Sequence, residues 1–146
     1  MNKAESADLI LKLYDLRREA TMREARSWMG SFLPETAEEL KNAMLNEQSS
    51  IYFRMVTSYW DMAASLVNHG AIDEEMFNDA NGEHIFIFSK IEPFLEGIRQ
   101  TINNPNYLAN LEKLVMKMPD AKERLEKGRE MFKRMRDARM EAAQKA

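Results

Sequence analysis

Apolar residues recur at intervals of three and four between Ile51 and His69, and this stripe constrains the fold more than any other feature of the chain. Such spacing places the apolar side chains on one broad face of a helix. A face this wide has to be covered by other elements, so we predict a central helix that ends at Gly70, a left-handed residue. The stripe consists of Tyr52, Met55, Val56, Tyr59, Met62, Ala63, Leu66 and Val67.

The rest of the chain repeats the helical period between residues that begin or end helices. The run HIFIF, residues 84–88, has the composition of a strand, but the chain offers no second strand to pair with it. Pro93 is expected to kink its helix near Ser89. The polar residues 46–50 either break a helix or form a turn within one. Helices are predicted at residues 6–29 with Ser6 as N-cap, from Thr36 in a capping box, from Asp73 as N-cap, at residues 82–103, from Asn104 and after Pro119.

Together these segments predict one all-α domain over residues 1–146, an orthogonal or up-down bundle of five to seven helices. With 45% apolar and 31% charged residues, the chain has the composition of a soluble globular protein. It has no cysteine, which excludes disulfides, thiolate metal sites and cysteine nucleophiles. It has no apolar run of 18 residues and no signal-like apolar leader, so a cytoplasmic location is expected.

The stretch MFNDANGEHIF, residues 76–86, looks like part of a calcium-binding loop. Such a loop with Gly82 at its sixth position would have Phe77 at the first and Phe88 at the twelfth, where carboxylate ligands are needed. We therefore predict no metal site, and expect Asn81 or Asp79 to cap the next helix instead. The two histidines, His69 and His84, lack metal-ligand spacing and are expected to lie at helix ends.

A polar edge beside the central stripe suggests a place for an anionic ligand. Arg54, Asp61 and Trp60 lie in this helix, and Arg99 lies in the helix predicted at residues 82–103. Two arginines could hold an acidic small molecule beside the tryptophan. The same residues could equally form an internal ion-pair network, or a solvated face, without any ligand.

The predicted C-terminal helix, residues 119–146, is amphipathic and basic. Residues 121–146 carry nine Lys or Arg against five Asp or Glu, while the whole chain has a net charge of −3. Leu125, Phe132 and Met135 recur at helical spacing and could contact a partner protein, a second copy or anionic lipid. The alternative is that residues 125–135 pack on the acidic body of the same chain, with the end beyond Arg136 fraying into solvent.

The runs YFRMVTSYWDMAASLVNHGAIDEEMF and FSKIEPFLEGIR resemble small all-helical bacterial proteins of a domain of unknown function, over about residues 52–99. The resemblance implies a soluble helical bundle and assigns no activity. The arginine-rich run at residues 17–26 is interleaved with acids, which favours a salt-bridged helix face over nucleic-acid binding. We therefore expect no enzyme, cofactor or metal, but an interaction or regulatory module that forms a homodimer. An anion-binding bundle is the alternative, and a hydrolase using His69 or His84 is a third hypothesis.

Overall fold

The computed structural model describes residues 2–145, and this part of the chain is all-helical with no strand. The all-α prediction is confirmed, although the chain forms more helices than the predicted five to seven. The helices are α1 (Lys3–Leu16), α2 (Ala20–Ser31), α3 (Ala37–Leu45), α4 (Glu47–Asn68), α5 (Glu74–Ala80), α6 (Glu83–Ile91), a 3-10 turn (Glu92–Phe94), α7 (Leu95–Thr101), α8 (Ala109–Val115) and α9 (Ala121–Lys145).

Helix α4 is the central element that its apolar stripe predicts. It packs most extensively against α2 and α8, and also against α3. Its buried face is rotated from the predicted stripe: Phe53 and Trp60, which lie outside the stripe, are fully buried, whereas Met62 of the stripe is 45% exposed. Asn46 accepts hydrogen bonds from the backbone N–H groups of the next turn, so the polar stretch does break the chain into α3 and α4. Gly70 ends the helix at φ +82°, as predicted.

The helix predicted at residues 6–29 is wrong in its continuity and in its cap. Asn2, not Ser6, caps α1, and the Ser6 hydroxyl is buried and accepts from the backbone N–H of Asp73 at 3.0 Å. Helix α1 ends at Leu16, and the Glu19 carboxylate caps α2 by accepting hydrogen bonds from two backbone N–H groups. The break lets the apolar faces of α1 and α2, which are rotated relative to each other, both meet the core.

The predicted helix at residues 82–103 is interrupted near Pro93, as the missing proline N–H requires. The interruption is a 3-10 turn over Glu92–Phe94, slightly beyond the expected kink at Ser89. The helix expected from Asn104 does not form there. The Asn104 side chain accepts from the Asn106 N–H and closes a local turn, and α8 begins only at Ala109.

Candidate functional site

Helix α9 packs on α6 through its first four turns. Leu125 is buried in the common core, and the Phe132 ring meets the Phe86 ring edge to face at a centroid distance of 5.0 Å. Arg129 donates to the Ser89 carbonyl at 2.8 Å, because Pro93 lacks the N–H that would otherwise occupy that acceptor. Leu125 and Phe132, two of the three residues predicted to contact a partner, are thus used mainly within the chain.

A buried lysine lies beneath this contact. The Lys90 ammonium donates to the carbonyls of Met29 and Gly30 at the end of α2, and lies 4.2 and 4.3 Å from the ring centroids of Phe86 and Phe132. Burial lowers its pKa from 10.5 to about 7, and the charge of the Glu83 carboxylate acts in the opposite direction. Lys90 was not among the predicted site residues, although a lysine inside the apolar run IFIFSKI, residues 85–91, was a visible signal.

The second half of α9 extends beyond its last anchor. Arg136 pairs with Glu35 at 2.9 Å, and the helix continues to Lys145 with exposed side chains, although fraying was expected beyond Arg136. One exposed face keeps the spacing of a helix–helix seam, at steps of four, three and four residues. We call this face the α9 stripe; it consists of Met131, Met135, Ala138 and Ala142.

An apolar groove lies between α3 and α7. Its volume is about 330 Å³, and most of its lining is apolar. Leu45 and Ile102 stand at its edge, with 72% and 43% of their surfaces exposed. Large exposed apolar side chains that gather in one concave surface are typical of interaction sites. We call this the α3–α7 groove; its main apolar residues are Leu40, Met44, Leu45, Phe94, Ile98 and Ile102.

The residues predicted to bind an anion lie in three different surroundings. Arg54 is exposed at a depression of about 320 Å³, and it carries no ion pair in the part of the chain that the structure describes. Asp61 lines the same depression, but its carboxylate accepts from the Leu111 N–H at 2.9 Å and so caps α8. Trp60 points into the core, away from this depression.

Arg99 binds the chain that precedes α8. Its guanidinium donates to the Tyr107 carbonyl at 2.8 Å and pairs with Glu112 at 3.0 Å. Arg99 and Asp61 thus both fix the 104–112 segment, but within residues 2–145 no ion pair joins either of them to Arg54 or to each other. Leu108 has a left-handed φ of 54° and offers no side-chain cap, so α8 depends on these tertiary contacts. Binding of an anion to the four predicted residues stays a prediction.

The loop that resembles a calcium site has a structural role different from the expected cap. Neither Asn81 nor Asp79 caps α6. The N-cap position is occupied by Gly82, which has no side chain that could accept a hydrogen bond. Asn81 is instead buried, donates to the Phe77 carbonyl and accepts from Arg17 at 3.1 Å. The loop therefore connects α5 to the turn between α1 and α2.

His84 is buried beside this loop and does not cap a helix. The centroid of its ring lies 5.6 Å from that of Trp60 and 5.0 Å from that of Phe77, and its Nδ1 atom has no hydrogen-bond partner among residues 2–145. Burial lowers its pKa to about 4, so the ring is neutral at pH 7. His69 lies at the end of α4 as expected, with Nδ1 2.8 Å from the Ser65 carbonyl.

Among residues 2–145 no group of three or more His, Cys, Asp or Glu side chains is placed to hold a metal ion. Within the same range, no helix is both long and apolar enough to cross a membrane. The α9 stripe and the α3–α7 groove are thus two exposed apolar surfaces within residues 2–145.

The fold defines the chain as an all-helical protein with a long basic helix at its C-terminal end. Its family model is described as a domain of unknown function (DUF4760) and matches residues 3–118; the chain belongs to this family, which confirms the resemblance seen in the sequence. The matched region contains α1 to α8, so α9 lies outside it. Neither the search of curated proteins nor the search of solved structures found a match.

Proposed function

We propose that this protein is a cytoplasmic helical-bundle module that acts through protein contacts and self-associates through the second half of α9. The observation that carries the proposal is the α9 stripe, an apolar seam left exposed on a helix whose first half packs on α6. Met135, with 47% of its surface exposed, stands in the middle of this seam. A seam of this spacing is covered when a second helix packs against it.

The charge distribution supports association between copies. Residues 121–146 carry an excess of four positive charges, so the rest of the chain is strongly acidic at a total of −3. The basic helix of one copy and the acidic body of another attract each other. This attraction speeds the encounter of two copies and disfavours partners that carry the same charge. The Arg136–Glu35 pair shows the same attraction within one chain.

The size of the seam indicates a weak and reversible association. Met131 and Met135 are about half exposed. Covering the rest of both side chains in both copies would therefore contribute roughly 3–6 kcal/mol, half of the gain from fully burying four exposed methionines. Association costs about 4–15 kcal/mol in lost freedom of motion. The two methionines alone offset only the lower end of this cost, so the attraction between the basic helix and the acidic body has to contribute, and the association is weak and reversible.

Sedimentation equilibrium on the full chain tests this proposal. The Met135→Asp variant places a charge in the stripe, while Met140→Asp places the same charge on the other side of α9, at a residue of similar exposure. We expect the wild type and Met140→Asp to associate with rising concentration, and Met135→Asp to remain monomeric. A monomeric wild type, or a Met135→Asp variant that associates equally well, would refute the proposal.

These point variants test the contact more specifically than deletion of α9 by ending the chain at Met118. Such a truncation would remove Leu125 from the core and Phe132 from its contact with Phe86, so any change in mass could reflect unfolding. Circular dichroism of both variants checks that the helical content is unchanged.

Anion binding is a second candidate function, supported by the unpaired Arg54 guanidinium at its depression. The depression also contains Asn104 and Asn106, whose side chains can donate to an anion. A thermal-shift screen with anionic metabolites tests it, using Arg54→Ala as the control. A ligand that raises the melting temperature of the wild type but not of the variant would support binding, whereas equal shifts in both proteins would exclude Arg54.

A further inference from the structure

We propose that the α3–α7 groove of one copy receives the α9 stripe of a second copy. This inference rests on the proposed self-association and adds the surface against which the stripe packs. In a two-fold dimer the contact occurs twice, because each copy presents one helix and one groove.

The two surfaces have matching dimensions and chemistry. The stripe runs over twelve residues from Met131 to Ala142, about 18 Å at 1.5 Å per residue. Helix α3, which forms one wall of the groove, has nine residues and is about 13 Å long. Methionine side chains adapt to an irregular apolar floor, and the two alanines allow close approach of the helix backbone.

The charges around the two surfaces are opposite. Residues 35–47, which include the α3 wall, carry four glutamates and one lysine. Residues 131–145, which carry the stripe, have five Lys or Arg and two Asp or Glu. A basic amphipathic helix is therefore the kind of partner that this groove fits, and α9 is such a helix.

Helix α9 of the same chain does not fill the groove. Within one chain no described residue of α9 lines the groove, whose lining comes from α3, Phe94 and α7 with the adjoining Ile102. Helix α9 is continuous from Ala121 to Lys145 and is anchored at Leu125 and Arg136, so it cannot fold back onto α3 of its own chain.

A complementation experiment by sedimentation tests this contact. Leu45→Lys places a positive charge at the edge of the groove, where the side chain is so exposed that folding is unaffected. Leu11→Lys, at a residue with 64% exposure on α1, is its matched control. We expect Leu45→Lys to weaken association at least tenfold, like Met135→Asp, and Leu11→Lys to leave it unchanged.

Mixing the two weakened variants distinguishes this arrangement from others. The Leu45→Lys copy retains an intact α9 stripe, and the Met135→Asp copy retains an intact groove. A mixed dimer therefore regains one of the two contacts, and we expect the mixture to associate more strongly than either variant alone. If Leu45→Lys associates like the wild type while Met135→Asp does not, the groove inference is overturned and self-association through α9 stands. If neither substitution changes association, or the wild type is monomeric, the proposed function fails together with this inference.

Discussion

The buried Lys90 gives the fold an unusual dependence on pH. Its folded-state pKa of about 7 lies below the value of 10.5 that applies to an exposed lysine. Between these two values the unfolded chain binds more protons than the folded one, so the free energy of unfolding rises with pH. The shift is caused by desolvation of the ammonium, which the Met29 and Gly30 carbonyls and two phenylalanine rings offset only in part.

The magnitude follows from the linkage relation. With these two pKa values, the contribution of Lys90 to the free energy of unfolding increases by about 2 kcal/mol between pH 7 and pH 9. Above pH 9 the raised pKa values of Tyr52, Tyr59 and Tyr107 act in the opposite direction, because the folded chain then retains more protons. The window from pH 7 to 9 therefore isolates the lysine.

Urea unfolding at half-unit steps across this window measures the effect. We expect the wild type to gain about 2 kcal/mol, and Lys90→Met, which keeps the side-chain length without a titrating group, to show a flat profile. Lys122→Met at an exposed position of α9 is the control and should keep the wild-type slope. A flat or falling wild-type profile, or a slope that survives in Lys90→Met, would refute the assignment of a buried titrating lysine.

Three further predictions concern other buried or strained positions. His84 has a folded pKa of about 4 against 6.5 when exposed, so stability should fall by up to about 3 kcal/mol as the pH drops from 6.5 to 4, and urea unfolding of His84→Phe should lack this loss. Asp61→Ala removes the cap of α8 and should lower the free energy of unfolding by roughly 1–2 kcal/mol, while Arg54→Ala stays within about 0.5 kcal/mol; equal losses would contradict the capping role. Gly70→Ala should cost about 1–2 kcal/mol because φ is +82°, although its Cβ would meet no other atom, and an unchanged melting temperature would contradict that reasoning.

The sequence predicted the features that depend on local chemistry. The central position of α4, the Thr36 and Asp73 caps, the left-handed Gly70 and the interruption at Pro93 all follow from a few neighbouring residues. The alternative that residues 125–135 pack on their own chain also agrees with the buried Leu125 and the Phe86–Phe132 contact.

The errors arose where distant residues satisfy a helix end. Helix α8 begins at Ala109 because Asp61, far away in the chain, accepts from its first turn, and no local pattern reveals this. Asn81 likewise turns away from the helix it was expected to cap because Arg17 donates to it. The chemistry of Lys90 depends on the rings and carbonyls that surround it, which only the tertiary structure brings together.

Site-specific cross-linking between copies tests the central claim most directly, since the chain has no cysteine and each label is therefore unique. A copy carrying Ala138→Cys in the α9 stripe is mixed with one carrying Thr101→Cys beside the groove and treated with a flexible bis-maleimide. We expect a cross-linked pair in higher yield than Met140→Cys gives with the same partner. Equal yields for the two labels on α9, or Ala138→Cys copies that link only to each other, would contradict it.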